Sequence, residues 1–535
     1  MWGNDLNRTW DIAVVGSGFG GSLLAMIARR LGHSVVLVER GTHPRVVIGE
    51  SSTPLSNLLI EELAARYDLP AVRPLAKWGS WRREYPEVTC GLKRGFTFHH
   101  HRLGSQSVED PRRQDQLLVA ASPRDEIADT HWYRADFDHL LVLEAQKLGV
   151  DYLDRVALHA FLDRGEGVVL EGRRDGQEVT LQARFTVDAT GPRGFLHQAL
   201  HLGQGGLPGF PATQALYSHF SGVRRLAETP FSRTTDVPPY PIDDAAVHHV
   251  FDGGWIWVLR FGNGITSAGV AAIDRIVSQL RFVDGPAAWE RLLQQIPALR
   301  EQFATARAER PFVHIPRLSF RSGAIAGPRW ALLPSAAGFV DPLLSTGFPL
   351  TLLGVERLAA ILEQEWGTAA FNDRLQTYAA KTDRELLATA GLVAALYATM
   401  SNFPVFVGLS LLYFAAASYS EAARRLGKPH LASSFLLCEH PVFGTASADL
   451  FARARRTMTA AESAELIRDI LTAIEPFNVA GLGCAERRNW YPVEASDLLG
   501  NAHKLESTRA EVLAMLARCG FTVGSTAESD QGQGD

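Results

Sequence analysis

A glycine-rich segment close to the first residue is suited to bind phosphate. Gly16, Gly18 and Gly21 are spaced as Gly-x-Gly-x-x-Gly in residues 16–21. Gly16 would allow a tight turn, Gly18 would let a pyrophosphate approach the backbone, and Gly21 would let the following helix pack on the strand. The phosphate charge would then lie at a helix N-terminus, where unpaired N–H groups point outward.

Two short strands and a helix are predicted around these glycines. Residues 11–15 and 34–39 are apolar runs of strand length, and residues 22–31 between them have a helical pattern. Together they form a βαβ unit of about 30 residues, as at the start of nucleotide-binding domains. Glu39 ends the second strand where a ribose ligand is expected, and Arg40 beside it is assigned to the same site. FAD and NAD sites share this arrangement, so it does not decide between them.

Two later segments favour FAD. Residues 187–192 (Val-Asp-Ala-Thr-Gly-Pro) and 336–342 (Ala-Ala-Gly-Phe-Val-Asp-Pro) each resemble a strand that ends in small residues, where backbone passes close to a ligand. With residues 134–138 (Arg-Ala-Asp-Phe-Asp) upstream, they occur in the order found in flavoprotein monooxygenases. Over residues 10–380 the chain therefore resembles the FAD family that includes aromatic hydroxylases, geranylgeranyl reductases and flavin-dependent halogenases. The resemblance implies cofactor contacts from Arg134, Asp188, Gly191, Gly338, Asp341 and Gly347.

Four segments resemble flavin-dependent halogenases more closely, above all those acting on pyrrole or phenol rings. They are residues 48–54 (Ile-Gly-Glu-Ser-Ser-Thr-Pro), 91–96 (Gly-Leu-Lys-Arg-Gly-Phe), 254–258 (Gly-Trp-Ile-Trp-Val) and 341–347 (Asp-Pro-Leu-Leu-Ser-Thr-Gly). The first, here called the strap, is similar to the segment that links flavin and halide sites, with Ser51 at the cofactor. The second resembles the segment holding an essential lysine, and the fourth resembles a halide-binding loop.

The end of the fourth segment has the residue types of an anion site. Ser345 and Thr346 are natural N-cap residues, and Pro349 suits the first turn of the predicted helix 350–362. Free N–H groups and the helix dipole at Thr346 and Gly347 would hold a halide ion without a charged side chain. A phosphate or a flavin oxygen at the same helix end is the alternative.

Lys93 is the predicted catalytic residue. The resemblance implies that hypohalous acid passes from the flavin to an electron-rich ring by way of this lysine. An amine can hydrogen-bond that acid or be halogenated by it, and burial favours this by lowering the pKa of the amine. The apolar neighbours of Lys93 in residues 91–96 suit partial burial, whereas a solvated lysine beside Arg94 is the alternative. Phe96 and His99 are expected to line the substrate site.

The tryptophan pair and three departures from the family pattern refine this prediction. Trp255 and Trp257 alternate along a predicted strand and so point to one face, where the resemblance implies that they keep substrate from the flavin; aromatic core is the alternative. The departures from the family pattern are Leu259-Arg260 in place of Ile-Pro, Leu344 in place of the glutamate of tryptophan halogenases, and Pro334-Ser335 in place of Gly-Asp. Because Leu344 replaces that glutamate, we do not expect tryptophan as the substrate.

Composition excludes several other classes. The formal net charge of -5 gives no basic surface for nucleic acid, and four scattered cysteines argue against zinc and against a disulfide scaffold. Consecutive histidines 99–101 on a strand cannot all ligate one ion, so no metal is expected. The N-terminus has no signal-peptide pattern, which predicts a cytoplasmic location. Residues 390–419 lack charge, but polar residues and a proline interrupt the run, which favours two buried helices over a membrane span.

We therefore predict an α/β protein with a GR2-type FAD-binding βαβ fold, an inserted substrate-facing β-sheet and a C-terminal helical lobe. The predicted parts are an FAD domain (1–70, 131–200 and 311–380), a substrate domain (71–130 and 201–310), a helical lobe (381–525) and a disordered tail (526–535). No second dinucleotide motif is found, so a separate flavin reductase would supply reduced FAD. The predicted reactants are FADH2, O2, chloride or bromide, and a phenol, pyrrole or indole, free or carrier-tethered. An FAD-dependent hydroxylase or reductase without halide chemistry, and a non-enzymatic FAD protein, remain alternatives.

Overall fold

A parallel sheet carries the glycine-rich segment. The computed structural model describes residues 8–105, 112–229 and 236–521, so the predicted tail 526–535 lies outside the described residues. The strands of this sheet are, in spatial order, Ala326–Gly327, Trp330–Leu332, Gln177–Asp188, Thr9–Val15, Val35–Val38 and Asp151–Leu153. The edge strand Ala326–Gly327 is antiparallel to its neighbour, and Val156–Asp163 and Val168–Arg174 form an antiparallel extension. Val15 pairs with Val38 on one side and with Asp188 on the other, so the carboxyl ends of three strands meet at one edge. Ligands of open α/β sheets bind at such an edge.

Five helices accompany this part of the chain: Phe19–Arg30, Pro54–Arg66, Trp78–Glu84, Arg134–Lys147 and Phe195–Ala199. The predicted βαβ unit is confirmed, although its helix begins at Phe19 rather than at residue 22. Phe19 lies in the buried core and its ring contacts Trp132 and Phe348, with centroids 5.3 and 4.9 Å away. Tertiary packing therefore extends the first turn over glycines that have little helical preference of their own.

A second sheet of nine strands lies on the substrate side. Its spatial order is Arg307–Ala308, Thr213–Ser221, Thr266–Ile273, Gly254–Arg260, Ala246–Phe251, Gly95–His101, Gln116–Ala120 and Trp490–Tyr491, with Val313–Ile315 paired to Thr213–Ser221. Both predicted insertions, 71–130 and 201–310, contribute strands to this one sheet. The division into domains stays a prediction. Two smaller pairs join Cys90–Lys93 to Asp129–Trp132 and Phe320–Arg321 to Gly338–Phe339.

Three helices interrupt residues 201–310, where a substrate-facing β-sheet is predicted: Asp274–Leu280, Pro286–Gln295 and Pro297–Gln302. The prediction was incomplete because these helices are short and only one face of each is apolar. Trp289 and Leu292 are buried against the sheet, on the face opposite that of Trp255 and Trp257. The helices thus cover the second sheet on its outer face.

The C-terminal lobe is helical, as predicted. The helices from residue 334 onward are Pro334–Ala337, Gly347–Gln364, Phe371–Thr399, Phe403–Arg425, Phe443–Ala454, Ala460–Ile474, Ala495–Gly500 and Arg509–Arg518, of which the first two lie in the part predicted as FAD domain. The uncharged run 390–419 forms two helices that break at residues 400–402, which confirms the prediction. By length and composition Phe403–Arg425 could cross a membrane, but 83% of its most apolar window is buried in the protein. That burial is typical of a core helix.

Candidate functional site

The glycine-rich loop has the close contacts that its spacing predicts. Gly16 has a φ of +101°, and a Cβ there would lie 2.7 Å from the carbonyl carbon of Ala189. A Cβ on Gly21 would lie 2.0 Å from the carbonyl oxygen of Gly16. Real Cβ atoms essentially never come closer than 3.0 Å to a neighbour, so these positions require glycine. The helix Phe19–Arg30 therefore begins directly behind the turn.

Two guanidinium groups flank Gly18, where a pyrophosphate would approach the backbone. The position of a Cβ on Gly18 is 3.4 Å from Nη2 of Arg134 and 3.9 Å from Nη2 of Arg45. Two cationic groups, a bare glycine backbone and a helix N-terminus suit a doubly charged phosphate group. The residues present therefore fit the dinucleotide part of FAD. Arg45 has no signal in the local sequence pattern, whereas Arg40, the residue predicted at this site, is exposed.

Glu39 lies at this loop, as predicted, and is held there by protein donors. Its Oε2 accepts from Ser17 N (3.1 Å), Ser17 Oγ (2.8 Å) and Arg45 Nη2 (3.2 Å), and Oε1 accepts from Gly41 N (2.9 Å). Burial acts to raise the pKa of Glu39, but the charge of Arg45 and these hydrogen bonds outweigh it and hold the pKa below its usual range. Glu39 is thus an ionised acceptor at the edge of the sheet.

Two aspartates assigned to the cofactor turn inward instead. Asp188 is fully buried and accepts from Thr190 N (2.8 Å), Thr190 Oγ1 (2.6 Å) and Leu196 N (2.6 Å), so it organises the turn that follows its strand. Asp341 is also buried, and its carboxylate accepts hydrogen bonds from Trp255 and Tyr397. Of the two glycines assigned with them, Gly191 leaves open space, whereas a Cβ on Gly338 would lie 2.8 Å from Leu386. Side chains of these types form turns as readily as they bind ligands.

The strap runs between the cofactor edge and the second sheet. Arg134 donates from Nη1 to the carbonyl of Gly49 (2.9 Å) and forms two 2.8 Å hydrogen bonds with Asp138. Glu50 accepts from the second sheet through Nε2 of His219 at 2.7 Å, if that nitrogen carries the proton. Ser51 forms an isolated antiparallel bridge with His131. The strap is therefore fixed to the helix Arg134–Lys147, to the second sheet and to the strand Asp129–Trp132.

Lys93 is buried at the end of the strap. It has no exposed surface, and its Nζ donates to Ser51 Oγ at 2.9 Å and to the carbonyl oxygen of Ser52. The same Nζ lies 3.8 Å from the centroid of the Phe96 ring, a cation–π distance. Burial lowers the pKa of Lys93, and the charge of Asp129 acts in the opposite direction. Lys93 is therefore buried more deeply than the partial burial that its neighbours in the sequence predict. Ser51, which was predicted at the cofactor, contacts the amine of Lys93.

The loop assigned to halide leads into the helix Gly347–Gln364. Leu344 and Ser345 both have left-handed backbone conformations, with φ of 63° and 56°. Thr346 is buried and, contrary to expectation, its side chain does not cap the helix. The reason is that the backbone of Thr346 is already helical. Gly347 is exposed, with open space where a Cβ would be. The N–H groups of Gly347 and Phe348, at the start of this 18-residue helix, have no acceptor within the helix, and Pro349 has no N–H.

A buried cluster holds this loop from behind. Asp341 Oδ1 accepts from Leu343 N (3.0 Å) and Trp255 Nε1 (3.2 Å), and Oδ2 accepts from Tyr397 OH (2.9 Å). Trp257 donates from Nε1 to Ser267 Oγ at 3.2 Å. Trp255 and Trp257 share one face of their strand, as predicted, with ring centroids 5.7 Å apart. They belong to the core behind the loop rather than to the lining of a substrate cavity.

An open apolar cavity lies next to Phe96, whose ring contacts the amine of Lys93. Phe96 lines it, together with Thr53 near the end of the strap and Pro349 in the helix Gly347–Gln364. Tyr413, from the helix Phe403–Arg425, also lines it and donates to the carbonyl oxygen of Leu344 at 2.9 Å. Tyr413 therefore touches the halide loop, while its ring lies 6.5 Å from that of Phe96 beside Lys93. This junction was missed, because the apolar run around Tyr413 indicates only a buried helix.

His99 does not line the cavity, contrary to prediction. It lies three residues beyond Phe96 on the strand Gly95–His101 and so projects to the opposite face. There it stacks on His249 at 5.6 Å, and burial lowers its pKa to about 4. No group of three potential metal ligands is found among the described residues.

Arg260, one of the departures from the family motif, has a structural role. It donates from Nη1 to the carbonyl of Val223 at 3.1 Å and from Nη2 to that of Arg224. Its own carbonyl faces Gly91, where a Cβ would lie 1.9 Å away, and it receives His131 Nδ1 at 3.4 Å. Arg260 therefore joins the second sheet to the strand that carries Lys93.

Asp341 provides a prediction about pH. Burial raises its pKa from the usual 3.8 to about 7, although Leu343, Tyr397 and Trp255 donate to it and act to lower it. Between pH 4 and 7 the unfolded chain is ionised at this residue and the native chain is not, so the native form loses stability as pH rises, by at most about 1.4 kcal/mol per pH unit. Asp341→Asn lacks this loss. Its free energy of unfolding should therefore rise relative to wild type from pH 4 to 7 and level off above.

Urea denaturation of both proteins at several pH values measures that difference. A difference between Asp341→Asn and wild type that is constant from pH 4 to 8 would show that Asp341 is ionised in the native protein.

Comparisons with known proteins agree with this geometry. Residues 129–402, half of the chain, match the family model described as tryptophan halogenase. Monodechloroaminopyrrolnitrin halogenase PrnC of Pseudomonas fluorescens is 28% identical over 403 residues, which cover 74% of this chain and 69% of the relative. Tetracycline 7-halogenase of Kitasatospora aureofaciens is 28% identical over 397 residues, which cover 69% of each protein.

Solved structures show the same fold. Halogenase PltM in complex with phloroglucinol and FAD superposes with a TM-score of 0.78 at 22% identity, over 90% of this chain and 99% of that chain. The myxobacterial chondrochloren halogenase CndH superposes with a TM-score of 0.58 at 23% identity, over 74% of this chain and 83% of that one. At these identities the likeness establishes the fold, and the match to residues 129–402 establishes the family. The chain belongs to the tryptophan halogenase family of FAD-dependent enzymes.

Proposed function

We propose that this protein is a flavin-dependent halogenase that uses reduced FAD, O2 and chloride or bromide to halogenate an electron-rich aromatic small molecule. The observation that carries the proposal is the buried amine of Lys93, which donates to the strap and contacts the ring of Phe96 in the wall of an open apolar cavity. A buried lysine without a direct ion pair is costly, and such groups are concentrated at functional sites. When bound, reduced FAD would activate O2, which is the oxidant that converts halide to hypohalous acid.

The helix start at Gly347 is proposed as the halide site. A halide ion needs N–H donors and a positive potential, which the free N–H groups and the dipole of an 18-residue helix provide. Asp341, through Trp255 and Tyr397, keeps the loop before it in place. Buried Thr346 and exposed Gly347 are the residues that we assign to the ion.

Lys93 would then hold the hypohalous acid for the substrate. Its amine can donate a hydrogen bond to the acid or be halogenated by it, and burial protects either species from water. The aromatic ring then takes the halogen and loses the proton of the same carbon, while the hydroxide of the acid leaves with a proton as water. Phe96 and Tyr413 form the wall between the halide loop and the cavity, so the acid would travel past them.

The cavity favours an uncharged substrate. The charged groups in its wall are already paired. Arg425 and Glu421, both in the wall, are 2.8 Å apart, and Glu494 in the wall is 3.0 Å from Arg487, which lies outside it. Lys77 lies 3.9 Å from Glu61. A free amino acid would bring an ammonium and a carboxylate without partners, which is costly in an apolar site. We therefore propose a phenol, pyrrole or indole without a free amino-acid group, presented free or tethered to a carrier.

Two further parts of the proposal concern the setting of the enzyme. A separate flavin reductase would deliver reduced FAD, because the sequence contains one dinucleotide motif, and the location would be cytoplasmic. A carrier-tethered substrate is supported by a relative in Pseudoalteromonas luteoviolacea, a brominase of 1H-pyrrole-2-carbonyl-[peptidyl-carrier protein] that is 23% identical over 359 residues.

Turnover with a matched substrate panel tests the proposal. The purified protein is supplied with FAD, a flavin reductase, NADH, O2 and bromide, and phenols, pyrroles and indoles are offered, including 3-methylindole beside tryptophan. Mass spectrometry should detect a brominated product from a neutral ring, and little or none from tryptophan. A product that gains oxygen but never halogen, at any bromide concentration, would identify a hydroxylase on the same fold.

A further inference from the structure

A second buried ionisable group lies beside Lys93, and the reaction described above does not use it. Asp129 stands directly opposite Lys93 in the antiparallel pair formed by Cys90–Lys93 and Asp129–Trp132. Directly opposed residues project to the same face of a sheet, with Cβ atoms about 4.5–5.5 Å apart. The carboxyl group and the amine are therefore neighbours wherever these strands are paired.

The carboxylate of Asp129 is held on one side only. Asn57 donates from Nδ2 to Oδ1 at 2.8 Å. Oδ2 is buried and has no hydrogen-bond partner among the described residues. A buried polar oxygen without a donor costs about 1–3 kcal/mol. Since Lys93 donates to Ser51 and Ser52 rather than to this oxygen, Asp129 is not held in place by an ordinary ion pair.

The surroundings leave these two groups to determine each other's charge. Burial lowers the pKa of Lys93 and raises that of Asp129, and the charge of each partner opposes the shift of the other. The other titratable or charged groups that face the pair are His131, His248, Tyr413, Glu421 and Arg425. Both histidines have pKa values lowered to about 3 by burial and are neutral at pH 7, and Glu421 and Arg425 pair with each other at 2.8 Å.

We propose that Asp129 is a positioning residue: its carboxylate sets the charge of the Lys93 amine, and thereby the pH range in which Lys93 can accept hypohalous acid. Asn57 keeps the carboxyl group oriented along the strand, and the free Oδ2 supplies the negative potential at the amine. The consequence for turnover rests on the proposed function, but the pairing of the two groups does not.

Titration of Lys93 tests the proposal without any turnover. Protein labelled with 13C at lysine Cε gives one signal per lysine, and the signal of Lys93 is assigned by its loss in Lys93→Met. In Asp129→Asn the ammonium loses its counter-charge, so the titration midpoint of Lys93 should fall by at least about one pH unit, which corresponds to 1.36 kcal/mol. Asp129→Glu restores the charge and should return the midpoint toward its wild-type value. An unchanged midpoint in Asp129→Asn overturns the proposal.

The pH profile of bromination provides the second readout. Whichever form of Lys93 reacts, the limb of the profile that reports Lys93 should move to lower pH in Asp129→Asn. A purely structural residue would lower the rate at every pH without moving that limb, so a stationary limb also contradicts the proposal. Wild-type protein that never halogenates would refute the proposed function and leave the titration result standing.

A second variant keeps the proposal testable if Asp129→Asn does not fold. Asn57→Ala removes the donor to Oδ1, so the carboxylate becomes harder to ionise and the midpoint of Lys93 should again fall, by a smaller amount. Asp163→Asn, at an exposed position on the first sheet, is the matched control and should leave both readouts as in wild type.

Discussion

Replacement of Lys93 by methionine or alanine is expected to lower the rate of halogenation by about 10²–10⁴-fold, while reduced flavin is still oxidised. The expectation follows from the position of the amine, which contacts the strap through Ser51 and Ser52 and the cavity through Phe96. In the proposed function, O2 would oxidise the flavin on the other side of the strap, and that step needs no amine. Hypohalous acid would still form in the variant, and it would escape to water.

The methionine variant separates chemistry from folding. Methionine has nearly the length of lysine and no charge, so it fills the same space and removes the cost of burying an amine. Its thermal stability should exceed that of Lys93→Ala, which leaves a cavity. Product formation by mass spectrometry, flavin oxidation by absorbance, and released hypobromous acid with a chemical trap are measured together. Unchanged turnover in Lys93→Met would remove Lys93 from the mechanism.

A surface lysine is the control for this prediction. Lys147 is largely exposed and pairs with Glu144 three residues earlier in its helix at 2.7 Å. An exposed pair of this kind contributes little to stability. Lys147→Ala should therefore halogenate as wild type does.

The sequence predicted the parts of the site that depend on local pattern. The strand–turn–helix around Gly16 follows from glycine spacing and apolar periodicity, both of which lie within a window of about 30 residues. The burial of Lys93 was inferred from its immediate neighbours. The break between the two apolar helices was inferred from the polar residues near 401.

Contacts between distant segments could not be predicted in this way. Asp129 meets Lys93 because two short strands pair, and Arg45 reaches Gly18 because the chain folds back after Glu39. Tyr413 reaches Leu344 from a helix whose composition indicates only core. Each of these partners lies in a different segment of the chain from the residue it contacts. Apolar periodicity describes one helix or strand at a time, so it does not predict such contacts.

Side-chain direction was the second limit. The Asp-Pro of the halide loop suggested a cofactor ligand at Asp341, but Trp255 and Tyr397 draw its carboxylate into the core. Likewise, the histidine run after Phe96 suggested a substrate contact at His99, which lies on the far face of the strand. Residue type and spacing locate a turn or a strand, whereas its tertiary neighbours decide which way a side chain points.

Gly21→Ala is expected to abolish FAD binding and to destabilise the protein. Two effects oppose each other at this position. Alanine is favoured over glycine inside a helix by about 1 kcal/mol, and Gly21 lies inside Phe19–Arg30. The added methyl group, however, would lie 2.0 Å from the carbonyl oxygen of Gly16 and 3.0 Å from Cβ of Ala189.

Backbone must move to relieve that clash, because the Gly16 carbonyl is not the end of a flexible side chain. Overpacking of this kind costs about 1–3 kcal/mol or more, which exceeds the gain in helix propensity, so the net change should be destabilising. The movement also displaces the loop that faces Arg45 and Arg134. FAD titration by fluorescence and urea denaturation measure the two effects.

Gly500→Ala, at the end of a helix with open space around it, is the matched control, and it should bind FAD normally and be no less stable than wild type. If Gly21→Ala behaved like Gly500→Ala, the helix Phe19–Arg30 would not pack against the Gly16 turn. The pyrophosphate site predicted at this turn would then lose its geometric basis.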